Sequence, residues 1–221
     1  MLMLRNDIVF NGGSKLFVIS APSGCGKGTI LAEFMKDHDV FLSVSCTTRG
    51  PREGEIDGKH YHFITEERFG EMIEQDGFLE YAEYTDCSYG TPLAPLLENL
   101  SNGRDVFLEI ETQGAFKVKE QVPDAVMLFI LPPSVESLRH RLKKRDTETP
   151  EKIEKRVSTA VGEIKRAYEY EYVMMNDDLG EAVRDFTAIY ESVKNGTEAA
   201  DYFNSNKEHT IKMIDEVLEN A

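Results

Sequence analysis

The segment K-L-F-V-I-S-A-P-S-G-C-G-K-G-T, residues 15–29, constrains the fold more than any other stretch of the chain. An apolar run suited to a β-strand stops at Ala21. Glycines at 24, 26 and 28 then surround Lys27, and Thr29-Ile30-Leu31-Ala32-Glu33-Phe34 opens a helix-like pattern. A strand, a glycine loop and a helix N-terminus in that order build a cradle for phosphate, because backbone N–H groups and the helix dipole converge on one anion. The strict pattern G-x-x-x-x-G-K-[ST] is met only loosely. Ala21 stands where the first glycine belongs, and Gly28 stands where a metal-binding hydroxyl belongs, with Thr29 offering its hydroxyl one place later. Gly24 and Gly26 keep the backbone freedom that turns successive amides inward. The plain alternative is an ordinary glycine-rich turn between a strand and a helix.

Strand-like runs recur at Leu16–Ser20, Val40–Ser45, Val106–Ile110, Val126–Leu131 and Tyr172–Met175. Several are apolar at nearly every position, as strands buried on both faces are. Helical patterns separate them: Thr29–Lys36, Leu93–Asn102 before Gly103, Gly114–Gln121, Val135–Arg145 after Ser134, and Pro150–Glu169 after Thr149. Ser and Thr suit N-caps, Pro suits a first helical turn and Gly a C-terminal cap. Alternating strands and helices predict an α/β, doubly wound parallel sheet.

From Thr47 to Pro92 the rhythm breaks. Tyr61–Phe63 and Phe78–Tyr84 read as short strands with Phe69–Gln75 helical between them, which predicts a small inserted α+β subdomain. Arg139–Arg166 is a basic helical stretch in an otherwise acidic chain, and Glu198–Ala221 reads as a polar helical tail. The organisation expected is an N-terminal extension over 1–14 and a main domain over 15–194, followed by a tail over 195–221. The main domain holds the insert at about 47–92 and a lid at about 139–166.

A chain of 221 residues suits one such domain. The net charge is −15, from 25 basic and 40 acidic residues. That surface argues against nucleic-acid and anionic-membrane partners, though a small site can be locally basic. Cys25, Cys46 and Cys87 form no C-x-x-C and leave an odd count, which argues for a reducing cytoplasm rather than a disulfide framework. Cys25 reads as a small loop-filling residue before it reads as a redox thiol. Arg5 and Asp7 interrupt the N-terminal apolar run, so it does not read as a signal peptide. His60 and His62 would share a strand face. Two solvated histidines explain them better than a metal site does.

Two arginine groups stand out: Arg49 with Arg52, and Arg141, Arg145 and Arg156. Charge runs are usually solvated. Arg49 and Arg52, however, follow a strand expected to run beside the phosphate-loop strand, and ligands in such sheets bind at C-terminal strand ends. The planar guanidinium fork suits phosphate. In the insert, Tyr61, Tyr81, Tyr84 and Tyr89 bring hydroxyls, and Glu80 lies between large side chains in F-L-E-Y-A-E-Y.

The motifs S-A-P-S-G-C-G-K-G-T, S-C-T-T-R-x-P-R-x-G-E-x-D-G-x-x-Y-x-F, F-L-E-Y-A, Y-G-T-P, L-E-I-E-T-Q-G-A, P-P-S-x-x-x-L-x-x-R-L-x-x-R-x-T-E-T and N-D-D-L occur in this order between about Lys15 and Ser192. In this the chain resembles the guanylate kinases, a nucleoside monophosphate kinase branch of the P-loop proteins. The resemblance implies the reaction ATP + GMP → ADP + GDP with Mg²⁺, with dGMP also accepted. By motif, Ala21, Pro22, Ser23, Gly24, Cys25, Gly26, Lys27, Gly28 and Thr29 would hold the ATP phosphates, with Asn176 near the adenine. Arg49, Arg52, Tyr61 and Tyr89 would hold the GMP phosphate. Glu80, Ser45 and Thr91 would read guanine, and Glu111 and Gln113 would lie near the metal and GMP. Lys27, Arg49, Arg141, Arg145 and Arg156 would carry catalysis, and Thr29 would face Mg²⁺ with phosphate oxygens and water. Glu111 stands where the family pattern usually has Asp.

The chemistry of the base agrees with that assignment. Guanine offers N1–H and an amino group as donors and O6 as acceptor. One carboxylate accepts both donors, and hydroxyls can donate to O6. Adenine would leave the carboxylate unpaired, at a cost of about 1–3 kcal/mol. The nucleophile is an ionised phosphate oxygen, so catalysis needs positioning and charge neutralisation rather than a general base. Two other readings compete: a non-catalytic guanylate-kinase-like protein-binding module, and a related kinase with a ribosyl phosphate acceptor. The sequence leaves monomer and homodimer equally open.

Overall fold

A computed structural model of the chain describes residues 5, 8–84, 86–144, 149–197 and 207–219. The first part runs β1 (Leu16–Ser20), α1 (Lys27–Phe34), β2 (Phe41–Ser43), β3 (Cys46–Thr47), β4 (His62–Phe63), α2 (Glu66–Glu74), β5 (Phe78–Tyr84) and β6 (Cys87–Pro92). The rest runs α3 (Leu93–Ser101), β7 (Val106–Glu109), α4 (Thr112–Gln121), β8 (Val126–Leu131), α5 (Val135–Lys144), α6 (Pro150–Lys165), β9 (Tyr172–Met175), α7 (Leu179–Asn195) and α8 (Lys207–Glu219). A five-stranded sheet has the order β2-β7-β1-β8-β9, and a four-stranded sheet the order β4-β3-β6-β5. The fold is α/β with a mostly parallel main sheet, as the alternation of strands and helices predicts.

Two compact units divide the chain. The first holds the residues up to Val18 together with Asp39–Ala125, and the second holds Ile19–His38 together with the residues from Val126 onward. Strand β1 therefore belongs to both. In the first unit β2 pairs parallel with β7, Phe41 opposite Val106. The small sheet mixes a parallel pair, β3 with β4, and antiparallel pairs of β6 with β3 and β5. It closes over its own apolar cluster of Cys46, Phe69 and Phe78, with Ile64 and Met72 packed against it. In the second unit β8 and β9 pair parallel, Leu128 opposite Tyr172, and all six residues of β8 are buried.

Local chemistry accounts for the helix ends. Ser134 Oγ accepts from the Ser137 amide at 3.0 Å, the cap expected before α5. Thr149 is the N-cap of α6, with Pro150 in the first turn. Two expectations need correction. The strand preceding Arg49 was expected beside β1, but β7 lies between them. Val106, Phe107 and Leu108 are fully buried and suit an interior strand, whereas Phe41 and Leu42 of β2 are half-buried and suit an edge. The expected elements also omit α7, although Asp178 caps it by accepting from the Glu181 amide, and Ala182, Phe186 and Ile189 are buried at helical spacing.

Candidate active site

In the second unit the loop after β1 is shaped by its glycines and held by its neighbours. Gly24 and Gly26 sit at φ of 90° and 92°, a left-handed region costly for any side chain. Gly26 caps α1, so Lys27 opens that helix and Gly28 and Thr29 lie in its first turn, both exposed. A Cβ on Gly24 would lie 3.0 Å from Leu142 of α5, and one on Gly26 would lie 2.6 Å from Asn176 Nδ2.

The Cys25 carbonyl accepts from Asn176 Nδ2 at 2.6 Å and from Arg141 Nη1 at 3.2 Å. Arg141 Nη2 also donates to the Asn176 carbonyl at 3.2 Å. Arg156, from α6, donates to Ser23 Oγ. Asn176 is buried and follows β9, where its amide donates to the Leu131 carbonyl at 2.8 Å. The structure thus brings Arg141, Arg156 and Asn176 onto the loop. The expected Arg145 lies outside the described residues. The Cys25 thiol is buried within 3.5 Å of the Ile130 carbonyl, and burial pushes it up to about 12. It is a packing group, not a nucleophile.

In the first unit, Glu80 on β5 faces Thr91 on β6. The Thr91 hydroxyl donates to Glu80 Oε1 at 2.7 Å. The proton that guanine O6 was expected to take is therefore spent on the carboxylate here. Glu80 is 7 % exposed. A Cβ on Gly114, in the first turn of α4, would meet Glu80 Oε2 at 2.7 Å, so any side chain there would push the carboxylate from its place. Burial holds the Glu80 carboxyl above the ordinary carboxylate range, against the opposing pull of the Thr91 hydroxyl and the Lys117 charge.

Arg49 lies among aromatic rings and one carboxylate. Its Nη1 and Nη2 each reach a Glu55 oxygen at 2.9 Å, and the Arg52 amide donates to Glu55 at 2.7 Å. The guanidinium lies 5.4 Å from the Tyr61 ring centre, and the Tyr61 and Tyr89 rings are 5.8 Å apart, edge to face. Glu55 holds Arg49 firmly in its charged form, and that same pairing holds the Glu55 carboxyl below its usual range. Burial, with Tyr89 next, pushes the Tyr61 phenol up to about 12. Glu55 was not among the expected site residues. Its signal was the R-x-G-E spacing, which puts a carboxylate one tight turn from Arg52.

The guanylate kinase family model matches residues 13–193. The chain belongs to the guanylate kinase family. A guanylate kinase of Caldanaerobacter subterraneus subsp. tengcongensis is 54 % identical over 175 residues, covering 79 % of this chain and 85 % of that protein. One from Clostridioides difficile is 51 % identical over 181 residues, covering 81 % and 88 %. The crystal structure of guanylate kinase from Anaplasma phagocytophilum matches at a TM-score of 0.69 and 29 % identity, covering 88 % of this chain and 92 % of that one.

The remaining family positions fall as follows. Glu111 is the N-cap of α4, and Gln113 lies in its first turn, both exposed. Ser45 is half-buried just before β3, its carbonyl accepting from the His62 amide at 2.9 Å. Arg52 is exposed beside the Arg49–Glu55 pair. His60 Nδ1 accepts from the Ile56 amide at 2.9 Å. Among the described residues, no group of three or more His, Cys, Asp or Glu side chains is placed to hold a metal. Thr29, exposed in the first turn of α1, carries a hard oxygen donor of the kind that suits Mg²⁺.

Proposed function

We infer that the chain transfers the γ-phosphoryl group of ATP to GMP, giving ADP and GDP. Family membership over residues 13–193 is the observation that carries this reading. The loop Ala21–Thr29 holds the ATP phosphates through its amides and Lys27, with Asn176 toward the adenine. Arg49, Arg52, Tyr61 and Tyr89 take the GMP phosphate. Glu80, with Ser45 and Thr91, reads guanine, and its buried carboxylate beside Gly114 supports that role. Glu111 and Gln113, at the start of α4, lie on the metal and GMP side. Arg141, Arg145 and Arg156 neutralise charge on the transferring group. Mg²⁺, held through Thr29, water and phosphate oxygens, screens the phosphate charge when bound. The acceptor phosphate is its own nucleophile, so these residues orient, neutralise and exclude water.

Residues 15–194 form the catalytic domain, with 47–92 as the acceptor insert and 139–166 as the lid. Residues 1–14 and 195–221 extend it. dGMP, which keeps the guanine, serves as a second acceptor. The net charge of −15 supports a protein without nucleic-acid or membrane partners. No helix among the described residues is long and apolar enough to cross a membrane. Three free cysteines fit a cytoplasmic setting. The chain acts as a monomer or homodimer. The test is ADP release from ATP with GMP, dGMP, AMP, CMP and UMP side by side. Turnover confined to the guanine acceptors is expected, and equal rates with AMP and GMP would refute the base assignment.

A further inference from the structure

We propose that Asn176 and Arg141 act as a clamp that sets the shape of the phosphate loop before nucleotide arrives, so that Asn176 serves the phosphates as well as the base. This rests on the ATP-binding reading above and extends it.

The carbonyl of Cys25 is the point at which the loop is held. In a loop that presents amides to an anion, each carbonyl must point the other way, or its partial negative charge repels the phosphates. A carbonyl turned into the protein also needs donors, because an unpaired one costs about 1–3 kcal/mol. Cys25 has two: Asn176 Nδ2 at 2.6 Å and Arg141 Nη1 at 3.2 Å. The two donors are themselves joined, since Arg141 Nη2 donates to the Asn176 carbonyl at 3.2 Å. Asn176 is 6 % exposed, and its amide donates to the Leu131 carbonyl at 2.8 Å, which ties the clamp to the end of β8.

Packing reinforces the polar contacts. Asn176 Nδ2 lies where a Gly26 side chain would begin, 2.6 Å from an ideal Cβ. Gly26 is thus required twice, by its φ of 92° and by the closeness of Asn176. Leu138 and Leu142 of α5 lie against Gly24 in the same way, at 3.3 and 3.0 Å. Three consecutive loop positions are therefore held from α5 and from the residue after β9. Donation to Cys25 also fixes which end of the Asn176 amide carries nitrogen, so the orientation offered to a base is set by the loop itself.

A ligand without a base separates the two roles. Asn176→Ala and Asn176→Ser are titrated calorimetrically with MgATP and with magnesium tripolyphosphate, and the KM for GMP is measured beside them. The clamp predicts that both ligands weaken together, by up to about tenfold for one lost hydrogen bond, with the KM for GMP unchanged. If tripolyphosphate binds the variants as it binds the parent chain, Asn176 acts on the base alone or not at all, and the proposal fails. If the KM for GMP rises as much as the ATP dissociation constant, the substitution merely loosens the fold, and the proposal fails equally. Failure of the parent chain to bind MgATP would instead overturn the functional reading beneath it.

Discussion

In the proposed reading Glu80 must be charged to accept from guanine N1–H and the amino group, yet it is buried where charge is costly. The Thr91 hydroxyl at 2.7 Å offsets part of that cost. A carboxyl raised by burial adds stability fully below its ordinary pKa and loses it as pH rises through the raised value, so at neutral pH the free chain carries a strain at this position. Glu80→Gln keeps the shape and an acceptor for Thr91 but removes the charge. We expect it to melt higher than the parent at neutral pH, by about 1–3 kcal/mol of stability, while losing its preference for GMP over AMP at unchanged KM for ATP. In the parent, that preference falls as pH drops through the raised Glu80 pKa. The ratio cancels the titration of the phosphate itself, which both acceptors share. A preference flat across that range, or a lower melting temperature in the Gln variant, would count against the assignment. Lys27 is tested from the other substrate: Lys27→Ala should slow turnover by about 10²–10³-fold with GMP binding intact. Normal turnover would remove the loop lysine from the mechanism.

At the scale of elements, sequence and structure agree where burial is simple. The apolar runs of β1 and β8 are legible because both faces are covered, and their limits match residue for residue. Strands β3 and β6 are harder to see. Cys46-Thr47 is only two residues long, and Cys87–Pro92 has a half-buried first half, so neither shows a clear period. The place of β7 between β2 and β1 depends on which strand is buried deepest, a property of the sheet rather than of either segment. Glu80 was visible as a carboxylate among bulky residues. The closeness of Gly114, which comes from a distant helix, was not. Nor was the hold of Glu55 on Arg49, which needs the turn between them to be formed. The tail is the other case. Within the second unit, α8 buries Thr210, Ile214 and Val217, and the Tyr168 hydroxyl donates to Asp215 at 2.7 Å. Polar composition hid a buried stripe at i, i+4 and i+7. If α8 is a structural part of its unit, Ile214→Ala should lower stability by about 2–5 kcal/mol in denaturant unfolding. A change under 1 kcal/mol would mean that the helix is a loose appendage.

For the whole molecule, each compact unit collects one set of family residues. The second holds the phosphate loop with Arg141, Arg156 and Asn176 upon it, and the first holds the Arg49–Tyr61–Tyr89 group together with Glu80. A chain of net charge −15 can still bind anionic substrates where Arg49, Arg141 and Arg156 make a position locally basic. In the proposed reading the two sets of residues make a guanine-specific kinase of a chain whose loop alone indicates only phosphate. The most direct measurement is ADP formation from MgATP at equal concentrations of GMP, dGMP and AMP. The account predicts turnover with GMP and dGMP, and a kcat/KM for AMP lower by about 10³-fold or more. Comparable rates with AMP and GMP, or no turnover with GMP at all, would contradict it.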